Sequence, residues 1–220
     1  MQKELYIIAS PIGNLGDISL RALEVLKSID ILFCEDTRVT RKLLDHYEIK
    51  VKTISLHQHS SDEKIIKLLN ENKKMGYITD AGTPGISDPG NKVVQIVSEQ
   101  NVQVIPIPGA CAVISGLSVS GMPTDKFLFL GFIPHKGKTK IFNQIKDSKI
   151  TTAFYESPHR ILKTLEELKS FVDDRQIVVC RELTKKFESI YRGTVSEVIE
   201  QVKDKQKGEF VVIIRGTSNS

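Results

Sequence analysis

The stretch from Tyr77 to Gly90 carries the clearest signal for chemistry in the chain. It reads Y-I-T-D-A-G-T-P-G-I-S-D-P-G, so three glycines, two prolines and two aspartates stand between a short apolar run and a helix-like segment. Such a composition makes the backbone turn repeatedly and exposes its amides. A plain connection between a strand and a helix would have the same composition. The position favours a binding loop, because ligands of open α/β sheets bind beyond the carboxyl ends of buried strands.

Two groups of charged residues are candidates for catalysis. The first is Glu35-Asp36-Thr37-Arg38, which follows the apolar run from Ile31 to Cys34. Capping of the next helix explains this group equally well. The second is R-E-L-T-K-K-F-E, from Arg181 to Glu188, which follows the run from Gln176 to Cys180. Its cations could equally bind phosphate or face solvent.

No metal centre is expected. His57 and His59 alternate along an extended segment, a spacing that would put two metal ligands on one face. No third ligand cluster accompanies them, and the other histidines are isolated. A loop or a substrate-facing pair is therefore the better interpretation.

The elements that must position these residues alternate between strand and helix in the first half of the chain and follow a mixed order in the second half. The first turn, from Ser10 to Asp17, lacks the G-x-G-x-x-G spacing of a dinucleotide fingerprint, so that cofactor class is not assigned. A stretch rich in Gly, Ser and Pro, Gly116 to Thr124, is the best candidate for a domain boundary. We therefore predict an α/β domain over residues 1–117, an α+β domain over 122–216 and a disordered tail over 217–220.

Composition sets the broad class of protein. The 220 residues are 40% hydrophobic and 26% charged, which is typical of a globular protein. The formal net charge of +4 is compatible with an anionic partner but does not require one. The three cysteines lie far apart, which indicates reduced thiols rather than disulfides. The sequence shows neither a signal peptide nor an apolar run long enough to span a membrane. We expect a cytoplasmic protein.

Six ordered motifs give the chain a family resemblance along nearly all of its length. They are S-P-I-G-N-L-G-D-I-S at 10–19, C-E-D-T-R at 34–38, D-A-G-T-P-G-I-S-D-P-G at 80–90, I-P-G-A at 107–110, F-Y-E-S-P-H-R at 154–160, and R-E-L-T-K-K-F-E from 181. With these motifs the chain resembles the tetrapyrrole methylase superfamily, and within it the branch of small-subunit ribosomal RNA methyltransferases. The resemblance implies transfer of a methyl group from S-adenosyl-L-methionine to the ribose 2′-oxygen of a decoding-centre cytidine in 16S ribosomal RNA.

The same resemblance implies an α/β, two-domain tetrapyrrole-methylase-like fold with the cofactor cleft between the domains, and a homodimer. Backbone groups of glycine turns can hold such a cofactor without particular side chains. The implied cofactor-binding residues are Pro11, Asp80, Ala81, Gly82, Thr83, Ile86, Cys111, Ala112, Tyr155 and Gly208. Many relatives continue past the equivalent of Gly216 with a helical segment, so we expect RNA recognition to fall to the two domains.

Methyl transfer to a hydroxyl requires alignment, exclusion of water and a group that takes or polarises the hydroxyl proton. The candidate catalytic residues are Glu35, Arg38, Glu182 and Lys185. A lysine base would need a lowered pKa, through burial or nearby cations. Lys185 is therefore a hypothesis for the base, and phosphate binding is an equally good interpretation.

Basic residues outside these groups are candidates for RNA contacts, and together they predict binding that weakens steeply with salt. They are Arg41, Lys136, Lys138 and Arg160. With 6% aromatic residues, extensive base stacking is not indicated, though Phe132, Phe154 and Tyr155 are available.

Two rival functions remain open. The chain could methylate a porphyrin or precorrin precursor, although E-D-T-R and Y-E-S-P-H-R favour the RNA branch. It could also be a ribosome assembly factor that has kept the cofactor fold and lost catalysis. Cofactor binding would separate the second possibility from an enzyme.

Overall fold

The computed structural model describes residues 2–56, 60–88 and 90–217. The pair His57 and His59 and the predicted tail beyond Thr217 lie outside these ranges. The chain divides into two compact units, Met1–Cys111 and Ala112–Ser220. Within the described ranges, no helix is both long and apolar enough to cross a bilayer.

The first unit is built on a five-stranded parallel sheet with the strand order β3-β2-β4-β1-β5. The strands are β1 (Glu4–Ile8), β2 (Ile31–Cys34), β3 (Lys52–Ser55), β4 (Lys74–Ile78) and β5 (Gln103–Ile107), and the helices are α1 (Leu20–Ser28), α2 (Thr37–His46), α3 (Asp62–Glu71) and α4 (Gly90–Ser98), with a short 3-10 turn at Leu15–Asp17. All four residues of β2 are buried, as expected of a strand that is covered by helices on both faces. The carboxyl ends of all five strands therefore meet at one edge of this sheet.

The second unit is built on a mixed sheet with the order β6-β7-β10-β8-β9, in which only the β6–β7 pair is parallel. Its strands are β6 (Phe127–Phe132), β7 (Thr151–Glu156), β8 (Gln176–Arg181), β9 (Ser189–Thr194) and β10 (Phe210–Ile214), and its helices are α5 (Ala112–Ser120), α6 (Lys138–Asp147), α7 (Ile161–Val172) and α8 (Val195–Val202). A core of α6, α7 and α8 side chains covers one face of the sheet. The expected α/β, two-domain fold is confirmed.

The division between the units differs from the predicted boundary. The predicted boundary, Gly116 to Thr124, begins inside α5, and the division falls before this helix. A Cβ atom added to Gly116 would lie 3.2 Å from Ile213 and from Val211 of β10. The small residues therefore allow a helix to approach a sheet closely, and their composition imitates that of a linker.

Candidate active site

In the first unit, three loops that follow parallel strands are joined by hydrogen bonds. The Ser10 and Gly82 backbones exchange two bonds, from Ser10 N to Gly82 O at 3.0 Å and from Gly82 N to Ser10 O at 3.2 Å. Thr83 Oγ1 donates to the carbonyl oxygen of Ala110 at 3.0 Å. The ends of β1, β4 and β5 are thereby fixed beside one another. Such an arrangement can hold a ligand through backbone groups.

The turn of the β4 loop requires glycine. Gly82 has φ of +79°, which side chains rarely adopt. A Cβ at this position would also lie 3.3 Å from Ile12. Further along the loop, Asp88 Oδ1 accepts hydrogen bonds from the backbone amides of Gly85 at 2.6 Å and Gly90 at 2.9 Å. The loop is therefore braced by its own aspartate as well as by its neighbours.

The predicted cofactor residues of this unit come together on these three loops. Pro11 adjoins the Ser10–Gly82 bridge, and Cys111 follows Ala110. The run from Asp80 to Thr83 lies in the middle of the cluster, and Ile86 is an exposed apolar residue at the loop's far side. Sequence reasoning missed Ser10 and Ala110, whose backbones do the joining. The pattern of Gly and Pro predicts turns but does not indicate which backbone groups pair between the loops.

A second cluster in this unit is acidic. The Asp36 amide donates to Asp80 Oδ1 at 3.1 Å, and the Asp80 backbone lies close enough to the Glu35 carboxylate to favour its charged form. Burial raises the pKa of Glu35, and the negative charge of Asp80 raises it further. Burial also raises the pKa of Asp80. These two carboxylates therefore take up protons more readily than an ordinary carboxylate does.

Arg38 and Asp36 have a different environment. Arg38 Nη2 lies 2.6 Å from Asp36 Oδ2, and its hydrogen bonds lower the pKa of Asp36 to about 2. The Asp36 side chain also accepts from the Arg38 amide at 2.8 Å, which caps α2. The capping explanation of this motif therefore accounts for Asp36, whereas Glu35 takes no part in the cap.

In the second unit, Tyr155 lies at the amino end of α5. Its hydroxyl accepts a hydrogen bond from the Val113 amide at 3.1 Å, one residue after the predicted contact Ala112. The Tyr155 ring makes edge contacts with Phe129 and Phe132, with centroids 4.9 Å and 5.4 Å apart. Phe132 is exposed and can stack on a planar group. Phe154 faces the core with no exposed surface, so it is not available for stacking.

Lys185 belongs to an ionic cluster that also contains Gly208. Lys185 Nζ lies 2.9 Å from Glu182 Oε1 and 2.7 Å from Glu209 Oε2. A Cβ on Gly208, where φ is +109°, would clash with the Glu182 side chain. Burial by itself lowers the pKa of Lys185, but hydrogen bonds to Glu209 and Glu182 raise it above its ordinary value. This is the opposite of what a lysine base requires, so the cluster favours the interpretation of Lys185 as a phosphate-binding cation.

Two of the predicted RNA contacts are engaged within the fold. Arg160 Nη2 lies 3.4 Å from Glu156 Oε2, and its side chain is 17% exposed. Lys138 Nζ lies 2.7 Å from Glu167 Oε2, with 18% of its side chain exposed. Both cations are therefore structural partners of acids. Arg41 and Lys136 are exposed, and their role as RNA contacts stays a prediction.

The described residues contain no group of three or more His, Cys, Asp or Glu that could hold a metal ion.

Comparison with known proteins adds a family to this geometry. The family model described as Tetrapyrrole (Corrin/Porphyrin) Methylases matches residues 4–199. The ribosomal RNA small subunit methyltransferase I of Bacillus subtilis is 42% identical over 221 residues, covering 98% of this chain and 76% of that protein. The protein of the same name from Hydrogenobaculum sp. is 40% identical over 218 residues, covering 96% of this chain and 95% of that protein.

Solved structures show the same fold. Uroporphyrin-III C-methyltransferase from Thermus thermophilus aligns with a TM-score of 0.69 at 14% identity, covering 97% of this chain and 94% of that chain. A cobalt precorrin-4 methyltransferase aligns with a TM-score of 0.69 at 18% identity, covering 96% and 94% of the two chains. At these identities the likeness establishes the architecture and says nothing of the substrate.

The pKa values of the acidic cluster predict opposite effects of two neutralising substitutions on stability. Because the pKa of Glu35 is raised in the folded protein, its ionisation destabilises the fold as the pH rises through that pKa. Glu35→Gln should therefore raise the urea midpoint at pH 7. The gain should vanish below the ordinary carboxyl pKa, where Glu35 is protonated in both states.

Asp36→Asn is the matched control, because the pKa of Asp36 is lowered and its ionised form stabilises the fold. It should lower the urea midpoint at pH 7, and the loss should diminish as the pH falls towards about 2. Urea titrations followed by circular dichroism at several pH values measure both effects. A lower midpoint for Glu35→Gln at pH 7 would contradict the assigned environment of Glu35.

Proposed function

The chain belongs to the tetrapyrrole methylase family, and from this membership we propose that it methylates the ribose 2′-oxygen of a decoding-centre cytidine in 16S ribosomal RNA. Its methyl donor is S-adenosyl-L-methionine, as in the family and in its ribosomal RNA methyltransferase relatives. The observation that carries the proposal is identity of 40% to 43% along 96% or more of the chain to proteins named for this reaction class. We further propose that the enzyme is a cytoplasmic homodimer acting on RNA within the small ribosomal subunit.

The donor is assigned to the backbone turns. When bound, it supplies an electrophilic methyl carbon on a sulfonium centre. In the first unit the Asp80–Thr83 turn and its neighbours Pro11 and Cys111 would hold it, and Gly82 permits close approach of the backbone. In the second unit Ala112, Tyr155 and Gly208 are its proposed contacts. Their role is to orient the donor and exclude water.

Glu35 is our candidate for the group that accepts the hydroxyl proton. A ribose hydroxyl is a weak nucleophile until its proton leaves. The pKa of Glu35 is raised by burial and by the charge of Asp80, which makes it a stronger base than an exposed carboxylate. Its place at the carboxyl end of β2, close to Asp80 of the β4 loop, supports this role.

Lys185 is proposed as a fixed cation in place of a base. Its ammonium group is held by Glu182 and Glu209, so it remains charged at neutral pH. A held ammonium can neutralise a phosphate but cannot accept a proton. Glu182 then acts by positioning Lys185.

The proposed function predicts labelled methyl transfer from S-adenosylmethionine to small ribosomal subunits that lack the modification. The product should be a 2′-O-methylcytidine, identified by mass spectrometry of nucleosides. Uroporphyrinogen III and precorrin substrates should remain unlabelled under the same conditions. Labelling of a tetrapyrrole instead of RNA would transfer the chain to the rival enzyme class, and failure to bind the donor in calorimetry would favour an assembly factor.

Single-turnover kinetics with saturating RNA separate the roles of Glu35 and Lys185. Glu35→Gln should reduce the rate of methylation about 100- to 10,000-fold, the usual contribution of a general base, with donor affinity retained. Lys185→Ala should weaken RNA binding and leave the rate at saturation nearly unchanged, and Lys185→Arg should restore binding. If Lys185→Ala instead abolishes the rate at saturation, our assignment of the base is wrong.

Salt dependence distinguishes RNA contacts from structural cations. Arg41→Ala and Lys136→Ala should each reduce the slope of log affinity against log salt by about 0.7 to 0.9, the value for one lost phosphate contact. Lys138→Ala removes a cation that is paired with Glu167, so it should leave this slope unchanged and lower the urea midpoint. Equal slopes for all three variants would refute the division between the two groups.

A further inference from the structure

The loop from Glu182 to Glu188 joins β8 to β9 and displays an aromatic ring to solvent. Phe187 is 65% exposed in this loop. Nothing in the proposed mechanism uses this ring. An exposed phenyl group of this size on a structured loop is a candidate contact for a planar, apolar partner surface.

The backbone of the 182–188 loop is held in place by hydrogen bonds. Thr184 N donates to Glu188 Oε2 at 2.6 Å, and Glu188 N donates to Lys185 O at 3.0 Å. The carbonyl oxygen of Phe187 itself accepts from Arg181 Nη1 at 3.0 Å. The ring is therefore presented by a preorganised backbone, which reduces the entropy lost on binding.

Cations lie in this loop and in the segments hydrogen bonded to it. Lys186 Nζ lies 5.7 Å from the centroid of the Phe187 ring. Arg181 donates to the carbonyl oxygens of Phe187 and Lys207. Among the described residues, neither Arg181, Lys186 nor Lys207 forms an ion pair with a carboxylate. Lys186 and Lys207 are exposed, so their charges are available to an anionic partner, and Arg181 adds positive charge beside them.

An aromatic face beside unpaired cations is the arrangement by which proteins bind single-stranded nucleic acid, with a base on the ring and phosphates on the cations. A paired base is covered on both faces by its neighbours in the helix, so the base that stacks here must be unpaired. An apolar protein surface could contact the ring but would leave the three cations without an anionic partner. The charge therefore favours RNA over a protein surface.

We propose that Phe187 and Lys186 form a stacking site for one unpaired base of the RNA substrate, and that Arg181 and Lys207 contact the adjoining phosphates. This inference rests on the proposed function. The loop also carries Glu182 and Lys185, so a base stacked on Phe187 sets the position of the RNA strand relative to these two residues.

The test uses the full chain and an RNA oligonucleotide of the small-subunit decoding region that carries 2-aminopurine at unpaired positions. Stacking quenches 2-aminopurine fluorescence. Phe187→Ala should abolish the quenching and weaken RNA binding about 5- to 150-fold, the range for loss of one base–aromatic stack. Phe187→Tyr should keep both properties. Phe127→Ala, at another exposed phenylalanine, is the matched control and should bind RNA as the wild type does.

A second readout separates stacking from charge. Phe187→Ala should leave the salt slope of RNA binding unchanged, because no cation is lost, whereas Lys186→Ala should reduce it by about 0.7, as expected for a single-strand phosphate contact. RNA binding and quenching by Phe187→Ala equal to those of the wild type would overturn the proposal. A change in the sedimentation mass of Phe187→Ala would also overturn it, since the ring would then serve a contact between copies of the chain.

The outcome is distinguishable from failure of the proposed function. A wild type that methylates small-subunit RNA, with a Phe187→Ala variant that binds RNA equally well, refutes only the stacking site. A wild type that binds the labelled oligonucleotide through Phe187 but transfers no methyl group to RNA refutes the proposed reaction and keeps the site.

Discussion

The candidate site in the first unit depends on the pair of hydrogen bonds between Ser10 and Gly82. These bonds place the loop after β4 against the loop after β1, and the bond from Thr83 to Ala110 adds the loop after β5. The bridge forms only if the chain can adopt the left-handed conformation at Gly82, which costs other residues about 1 to 2 kcal/mol. One glycine thus controls whether separate loops become one surface.

The acidic cluster lowers the stability of the folded protein. The backbone amide of Asp36 donates to the Asp80 carboxylate across the ends of β2 and β4. This bond fixes the geometry, but burial and repulsion by neighbouring carboxylates still raise the pKa of Glu35 and Asp80. Selection for stability alone would replace such a group by a neutral one. Its presence is understandable if a proton must be accepted there, because function often occupies positions where stability is given up.

Much of the fold was predictable from the sequence, because the local periodicity of apolar residues indicates strands and helices. The Tyr77–Gly90 loop was also recognisable, since its turns need Gly and Pro. Pairings between residues that are far apart in the sequence could not be predicted. Lys138 meets Glu167, and Lys185 meets Glu209. A cation that suggested an RNA contact is therefore paired with a distant acid, and a lysine that suggested a base is held in its charged form by another. The low charge of α5 similarly suggested a linker, although the composition of this helix reflects its close packing on β10.

The motif Y-E-S-P-H-R illustrates why a family signature need not mark chemistry. Glu156 is 1% exposed and accepts hydrogen bonds from Thr164 Oγ1 and from the Ser157 amide, both at 2.7 Å. Arg160 completes the set as an ion-pair partner, so the motif joins the end of β7 to the start of α7. A buried carboxylate with these partners is costly to alter, since removal of any one leaves a buried charge uncompensated. The Glu156 to Arg160 part of the motif therefore serves folding. The residues that choose the substrate must be sought among exposed side chains such as Phe187, where no folding constraint explains their identity.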